Sequence, residues 1–128
     1  MDDIVDSEEA ITRYLRNSGH MRPALGRPHY SAFLPRVPDG DISVYRTVDL
    51  TSAETCTLGA QYVGKPDCPL KGHCDLAAGE FFSEKLNVVS APNPHERHAN
   101  VNGWTVEAKN RIVAKKLADK AALTVYQP

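Results

Sequence analysis

The sequence predicts a single α+β domain over residues 1–128, in which three to four helices pack on one face of a small mixed or antiparallel sheet. A chain of 128 residues has the size of one ordinary domain with one hydrophobic core. Hydrophobic residues make up 41% and charged residues 24%, which is a balance typical of folded chains. Helical and strand periodicities alternate along the sequence, and this alternation favours helices packed on a sheet.

Four segments have the capping residues or the apolar spacing of helices. We predict helices over residues 6–19, 51–63, 78–86 and 105–122. Asp6 and Glu9 open the first at the spacing of a capping box, and Thr51 and Glu54 open the second in the same way. The predicted inner stripe of the second helix consists of Cys56, Ala60 and Val63.

Strand signals occupy much of the remaining chain. We predict strands over residues 30–34, 42–48, 72–76, 87–91, 98–104 and 123–126. Consecutive Val88 and Val89 predict a strand that is buried on both faces. Arg46 shares a face with Ile42 and Val44, which places a cation among apolar side chains. Residues 20–40 contain four prolines and two glycines and therefore predict a mostly irregular segment.

Composition and charge argue against several functional classes. The formal net charge is −1 with neutral histidines, so no long-range field directs the chain to nucleic acid or to an anionic membrane. No apolar run reaches the roughly 18 residues that a membrane span needs. The acidic N-terminus is unlike a signal peptide, and three cysteines suit reduced thiols better than a disulfide framework. We therefore predict a cytoplasmic protein.

A zinc site is one chemical option, because histidines and cysteines occur close together. Cys68, His73 and Cys74 lie in one segment, and His95 and His98 lie in another. Zinc needs four such ligands that converge at about 2.0–2.3 Å. Adjacent residues of a strand point to opposite faces, and prolines disfavour the helix that the second histidine pair would need. We therefore predict no metal site and no cofactor.

A cysteine nucleophile is a second option. Cys56 falls on the predicted apolar stripe of its helix, where it would be an inert core thiol. Cys74 is the better candidate, with His98 as its base if their two strands are neighbours. This pair, or a bound metal, supports the alternative function of an enzyme that acts on a nucleotide or a phosphate ester.

Anion recognition by arginine and histidine side chains is the third option. Arg46 on a half-buried strand requires an acceptor, since a buried charge is normally paired. The acceptor is either a phosphate or carboxylate ligand or an internal carboxylate such as Asp41, Asp49 or Asp75. Asparagines and the single tryptophan nearby would supply planar hydrogen bonding and stacking, unless they are turn and core residues. The predicted ligand-binding residues are Arg27, His29, Arg46, His98, Asn100 and Trp104.

Three short motifs resemble a known group of proteins. SAFLP at 31–35, DGDISVYR at 39–46 and HANVNGW at 98–104 are similar to segments of short bacterial and phage proteins without an assigned activity. The resemblance covers most of residues 27–104. It implies a bacterial or phage origin and a small stand-alone domain, and it implies no reaction, cofactor or catalytic residue.

These observations together predict a small binding or accessory module. Its partner would be another protein or a small phosphate-bearing ligand, and nucleic acid is not an expected partner. The binding surface would join residues 22–36, Arg46 and residues 92–104 around a shared hollow. The prediction depends on cationic and imidazole side chains from distant parts of the chain meeting there.

Overall fold

The computed structural model describes residues 2–126 and consists of a six-stranded antiparallel sheet, a short two-stranded ribbon and three α-helices. The strands are β1 (Ala10–Leu15), β2 (Met21–Arg22), β3 (Arg27–Pro28), β4 (Ile42–Arg46), β5 (Gly72–Ala77), β6 (Asn87–Ser90), β7 (His98–Asn102) and β8 (Ala122–Val125). The helices are α1 (Ser52–Tyr62), α2 (Ala78–Ser83) and α3 (Glu107–Lys120). The predicted α+β class is confirmed, with a sheet that is large rather than small and has no parallel pair among these strands.

The main sheet has the strand order β6-β7-β4-β1-β5-β8, so β1 and β4 lie at its centre and β6 and β8 at its edges. Residues that face each other across an antiparallel pair share one face of the sheet. The register therefore defines a core face, which carries Ile11, Val44, Cys74 and Val101. It also defines a tyrosine face, which carries Tyr14, Tyr45, His73 and His98.

The predicted helix over residues 6–19 is wrong, because this segment contains the central strand β1. Ile11 and Leu15 lie on the core face, Thr12 and Tyr14 lie on the tyrosine face, and all four are buried. Burial of both faces removes the alternation of polar and apolar residues that marks a strand, so the large side chains imitate a helical stripe. The expected contact between the Asp6 N–H and the Glu9 carboxylate forms at 2.8 Å, but it closes a turn ahead of the strand.

The main core lies between the core face and three elements: α2, α3 and the 3-10 helix Tyr30–Phe33. The Phe33 and Phe81 side chains are fully buried, and their rings form an edge-to-face pair with centroids 6.1 Å apart. The predicted strand over residues 30–34 is wrong, because the His29 ring accepts a hydrogen bond from the Ser31 N–H and caps a 3-10 turn instead. Residues 34–40 are irregular, as predicted, but residues 21–28 form the short ribbon of β2 and β3 with a 3-10 turn between the strands.

The second helix begins as the sequence predicts. The Thr51 hydroxyl accepts a hydrogen bond from the Glu54 N–H at 3.1 Å, and the Glu54 carboxylate accepts one from the Thr51 N–H at 3.0 Å. This reciprocal capping box satisfies two backbone donors at the exposed N-terminus of α1.

Removing this capping box should lower the free energy of unfolding by about 1 kcal/mol. Thr51→Ala deletes the side-chain acceptor of the Glu54 N–H and leaves the rest of α1 unchanged. Ser52→Ala at the next, exposed position is the matched control and should change stability by less than about 0.5 kcal/mol. Urea unfolding of both variants measures the difference, and equal midpoints would contradict the assignment.

α1 packs on the tyrosine face, so the prediction that all helices share one face of the sheet is wrong. Its buried residues are Thr55, Leu58 and Gly59, and the Tyr14 hydroxyl donates a hydrogen bond to the Thr55 carbonyl at 2.6 Å. A Cβ atom on Gly59 would lie 2.4 Å from the Tyr14 ring, so the helix approaches the sheet at its glycine. The predicted inner stripe is wrong for Cys56, which is half-buried, and for Ala60, which is exposed. Its third member, Val63, is half-buried and packs against the cluster of Tyr14, Tyr45 and Leu58.

The remaining strand and helix predictions are confirmed in position. Segments 42–48, 87–91 and 98–104 contain β4, β6 and β7, and segments 72–76 and 123–126 cover all but one residue of β5 and β8. The expected double burial in β6 is wrong: Val88 is 6% exposed and Val89 is 46% exposed, because one face of this edge strand is open. The buried residues of α3 include the polar Asn110, whose amide donates to the Pro38 carbonyl at 2.7 Å and accepts from the Thr105 N–H. Within residues 2–126, no helix has the length and apolarity that crossing a membrane requires.

Candidate functional site

Arg46 is 3% exposed and is neutralised inside the protein. Its Nε and Nη2 atoms donate to the two carboxylate oxygens of Glu9, each at 2.8 Å, in a bidentate pair. Further donors bond the backbone carbonyls of Asp2 and Ile4. This hydrogen bonding lowers the pKa of Glu9 and raises the pKa of Arg46. The internal acceptor that the sequence left open is therefore present, but it is Glu9 and not Asp41, Asp49 or Asp75.

His98 and Asn100 lie on the tyrosine face of β7, as the predicted alternation requires. His98 is 8% exposed, with its Nδ1 atom 3.0 Å from the Ala91 carbonyl and its ring centroid 5.3 Å from that of Tyr45. Trp104 is 4% exposed and donates from Nε1 to the Val101 carbonyl at 3.2 Å. The tryptophan is thus a core residue and not a stacking surface, and these are the two roles that the sequence left open for it.

Arg27 belongs to β3 and His29 caps the 3-10 helix Tyr30–Phe33, and both of these elements contact α3. Arg27 forms an exposed ion pair of 3.5 Å with Asp119 of that helix. The His29 ring bonds the Ser31 hydroxyl at 2.7 Å and lies 4.3 Å from the Tyr30 ring. Nearby, the Lys115 ammonium sits 5.3 Å from the centre of the same tyrosine ring.

The structure does not bring Arg27, Arg46 and His98 together around one hollow, so that prediction is wrong. Arg27 pairs with α3, Arg46 pairs with the turn before β1, and His98 packs on the tyrosine face. The sequence could not show this, because each side chain finds its partner far away in the chain. A separate contact of each residue with a ligand stays a prediction.

The proposed pairing of Cys74 with His98 is also wrong. Their strands β5 and β7 are separated by β1 and β4, and the two side chains lie on opposite faces. Cys74 is fully buried, and burial raises the pKa of its thiol to about 12. Over residues 2–126, no three or more His, Cys, Asp or Glu side chains are grouped so that they would hold a metal ion.

A different polar cluster occupies the tyrosine face between β1, β5 and β8. His73 and Asp75 alternate along β5 and therefore point to the same face, with Nε2 of the imidazole 3.4 Å from Oδ2 of the carboxylate. The register places Thr12 opposite Asp75, and the Thr12 hydroxyl donates to Oδ1 of Asp75 at 2.5 Å. Thr47 continues the chain with a hydroxyl 2.7 Å from that of Thr12.

Tyr126 extends this cluster from the sheet toward the surface. Its hydroxyl lies 2.5 Å from Nδ1 of His73, and the two rings pack edge to face with centroids 5.4 Å apart. Tyr126 is placed by its N–H, which donates to the Lys71 carbonyl at 2.9 Å. Burial, and next the adjacent Cys56 side chain, raise the pKa of Tyr126, so the phenol stays protonated at neutral pH. The series Thr47, Thr12, Asp75, His73 and Tyr126 is called the relay below.

The relay ends at a cavity of about 490 Å³, called the α1 cavity below. Tyr126 lines this cavity with its phenol. Cys56 lines the same cavity and contributes to the surroundings of that phenol. The wall consists of Cys56, Ala60, Gly64, Lys65, Pro66, Pro69, Leu70 and Tyr126. The prediction of Cys56 as an inert core thiol is therefore wrong, because α1 turns Leu58 and Gly59 toward the sheet and leaves Cys56 on the cavity side.

Comparison with known proteins assigns no family to this geometry. No family model, curated protein or solved structure matches the chain. The resemblance of segments 31–35, 39–46 and 98–104 to short bacterial and phage proteins stays a prediction. The function must therefore be argued from the side chains themselves.

Part of the relay carries a signal that sequence reasoning missed. His73 and Asp75 are two residues apart in a predicted strand, and a period of two places both on one face. Thr12 was assigned to a helix, which hid its position opposite Asp75. Tyr126 and Cys56 join the cluster only through the packing of β8 and α1, which no local pattern records.

Proposed function

We propose that this protein is a binding module for a small amphipathic anion, which occupies the α1 cavity. The apolar body of the ligand lies against the cavity wall, and its anionic group lies near Lys65. A hydrogen-bond donor of the ligand meets the Tyr126 oxygen. The proposal keeps the small anionic ligand that the sequence suggests and moves its site away from Arg46 and His98.

The composition of the α1 cavity supports this proposal. Its volume falls within the roughly 300–1,000 Å³ that is usual for small-molecule sites. Four apolar side chains, those of Ala60, Pro66, Pro69 and Leu70, form most of its wall. Among the described residues that line it, Lys65 has the one ionic side chain, so the local charge favours an anion over a cation.

The observation that carries the proposal is the contact of 2.5 Å between the Tyr126 hydroxyl and Nδ1 of His73 at the wall of the cavity. The Asp75 carboxylate near Nε2 favours the tautomer of His73 with its proton on that nitrogen. Nδ1 is then an acceptor, and the Tyr126 hydroxyl donates to it at 2.5 Å. The phenol oxygen keeps its acceptor capacity for the cavity. A site with apolar walls and one oriented polar group is typical of small-molecule recognition.

Phenyl phosphate is the first probe, because it combines an apolar ring with an anionic group. We expect binding with a dissociation constant on the order of millimolar, as suits a ligand of so few atoms. Amide NMR shifts on titration should concentrate on residues 56–70 and 124–126. Shifts centred instead on Arg46 or Arg97, or no saturable shift at all, would contradict the proposal.

Ala60→Trp should weaken phenyl phosphate binding at least about tenfold, because an exposed position on the cavity wall receives a bulky ring. Ala53→Trp is the matched control, since Ala53 is exposed on the same helix and lines a different hollow. Lys65→Met tests the anionic group, and it should weaken phenyl phosphate about fivefold while leaving phenol unchanged. Equal affinities in Ala60→Trp and Ala53→Trp would exclude the α1 cavity as the site.

A further inference from the structure

The three cysteines of this chain lie in three different settings. Cys68 is exposed, Cys74 is buried in the main core, and Cys56 is half-buried on the wall of the α1 cavity. Burial raises the pKa of the Cys74 thiol to about 12, which makes this thiol unreactive. Of the three, only Cys56 lies on the wall of the same cavity as the Tyr126 phenol at the end of the relay.

The relay has the parts of a base for that thiol. Tyr126 is in contact with Nδ1 of His73 at 2.5 Å, so a proton that reaches the phenol can pass to the imidazole. The resulting imidazolium would be stabilised by the Asp75 carboxylate 3.4 Å from Nε2. Asp75 is in turn held by the hydroxyl of Thr12 at 2.5 Å. A nucleophile, a base and a group that orients the base is the arrangement found at nucleophilic sites.

We propose that Cys56 is a nucleophilic site for electrophilic ligands of the α,β-unsaturated carbonyl class, with the relay as its base. The inference rests on the proposed function for the α1 cavity as a place where such a ligand lies. It adds a covalent reaction that binding alone does not require. The apolar wall suits the uncharged carbon skeleton of such a molecule, and its carbonyl lies toward Lys65.

The reaction is an addition, and it needs no oxidant and no further reactant. The Cys56 sulfur forms a bond to the β carbon while the C=C π bond breaks and its electron pair moves to the α carbon and carbonyl. The thiol proton passes to the Tyr126 oxygen as the phenol proton passes to Nδ1 of His73. The imidazolium then returns one proton through Tyr126 to the α carbon. One S–H and one C=C bond are replaced by one S–C and one C–H bond.

N-ethylmaleimide tests the proposal, because it is a small α,β-unsaturated carbonyl compound and the chain supplies its own control thiols. The full chain is treated at pH 7 with limiting reagent, quenched at intervals and digested, and mass spectrometry gives the alkylation rate of each cysteine. Exposure alone would make Cys68 the fastest. We expect Cys56 to react at least about tenfold faster than Cys68, and Cys74 to react slowest. A Cys56 rate equal to or below that of Cys68 overturns the proposal.

Tyr126→Phe separates the relay from a merely structural effect. The variant keeps the aromatic ring and removes the hydroxyl that bonds His73 at the wall of the cavity that Cys56 also lines. We expect the Cys56 rate to fall at least about tenfold while the Cys68 rate stays unchanged. Loosening of β8 would act in the opposite direction, since it would expose Cys56 and raise its rate. An unchanged or higher Cys56 rate in this variant overturns the role of the relay.

Asp75→Asn is a second variant, and it keeps the shape of the side chain while removing the charge beside His73. It should lower the Cys56 rate by a smaller factor than Tyr126→Phe. The two proposals for the α1 cavity fail separately. Fast alkylation of Cys56 without phenyl phosphate binding overturns the proposed function alone. Phenyl phosphate binding with slow alkylation overturns the nucleophilic site alone.

Discussion

Glu9→Ala is expected to lower the free energy of unfolding by about 3–5 kcal/mol. The substitution removes the bidentate partner of Arg46 and leaves a guanidinium that is 3% exposed without a carboxylate bonded to it. The two remaining acceptors of Arg46 are backbone carbonyls of residues 2 and 4, which carry no net charge. Uncompensated burial of a charge is among the largest single-residue effects on stability.

Glu8→Ala is the matched control for this prediction, because Glu8 is the exposed neighbour of Glu9 in the same turn. It should change the free energy of unfolding by less than about 0.5 kcal/mol. Denaturant unfolding followed by circular dichroism compares the two variants. Similar losses in both would show that the ion pair contributes little beyond the local turn.

The contribution of Glu9 should disappear in acid. Hydrogen bonding to Arg46 lowers the pKa of Glu9 in the folded protein below its ordinary value. The folded state therefore favours the charged form, and the stabilisation is fully present above the unfolded pKa and lost as the pH falls through the folded pKa. The stability difference between the wild-type chain and Glu9→Ala should accordingly be large at pH 7 and should shrink as the pH falls below the ordinary glutamate pKa of about 4.3. A difference that is constant with pH would contradict the assignment.

Phe33→Ala is expected to cost about 3–5 kcal/mol of stability as well. Phe33 belongs to the proline-rich segment, yet its ring is fully buried and packs edge to face with Phe81 of α2. Truncation leaves a cavity beneath the 3-10 helix Tyr30–Phe33, because a closely packed core relaxes only partly around a deleted ring. Loss of this ring should therefore loosen the attachment of the irregular segment to the core.

Leu25→Ala is the control for Phe33→Ala, because it deletes a large apolar side chain from the same segment. Leu25 is 68% exposed, and its truncation should change stability by less than about 0.5 kcal/mol. Phe33→Leu keeps most of the volume and should give an intermediate loss. Urea midpoints of the three variants test this order, and a small effect of Phe33→Ala would mean that the segment is not anchored by its phenylalanine.

Local patterns predicted several elements of this fold correctly. The capping box at Thr51 and Glu54 marks the start of α1, and the alternation over residues 98–102 marks β7 and the faces of its side chains. These signals succeed because they depend on hydrogen bonds and side-chain directions within a few residues. The adjacent His73 and Cys74 also point to opposite faces, as the strand period requires.

Local patterns failed where burial comes from elements distant in the chain. β1 has both faces covered, so its sequence shows no alternation and resembles a helical stripe. The sequence also predicts the wrong buried side for α1. The helix contacts the sheet through Gly59, and a glycine has no side chain that could contribute to an apolar stripe. The same error misplaced Cys56 and hid the α1 cavity.

The sequence by itself determined the α+β class and the positions of eight secondary-structure elements, which are α1, α2, α3, β4, β5, β6, β7 and β8. It also determined that Arg46 needs an acceptor, because a cation in a buried strand is stable only when paired. Only the tertiary structure decided that this acceptor is Glu9 and that Tyr126, His73 and Asp75 form one chain of contacts. The physical reason is that strand order and helix packing depend on the summed burial of many side chains, and this sum has no local signature.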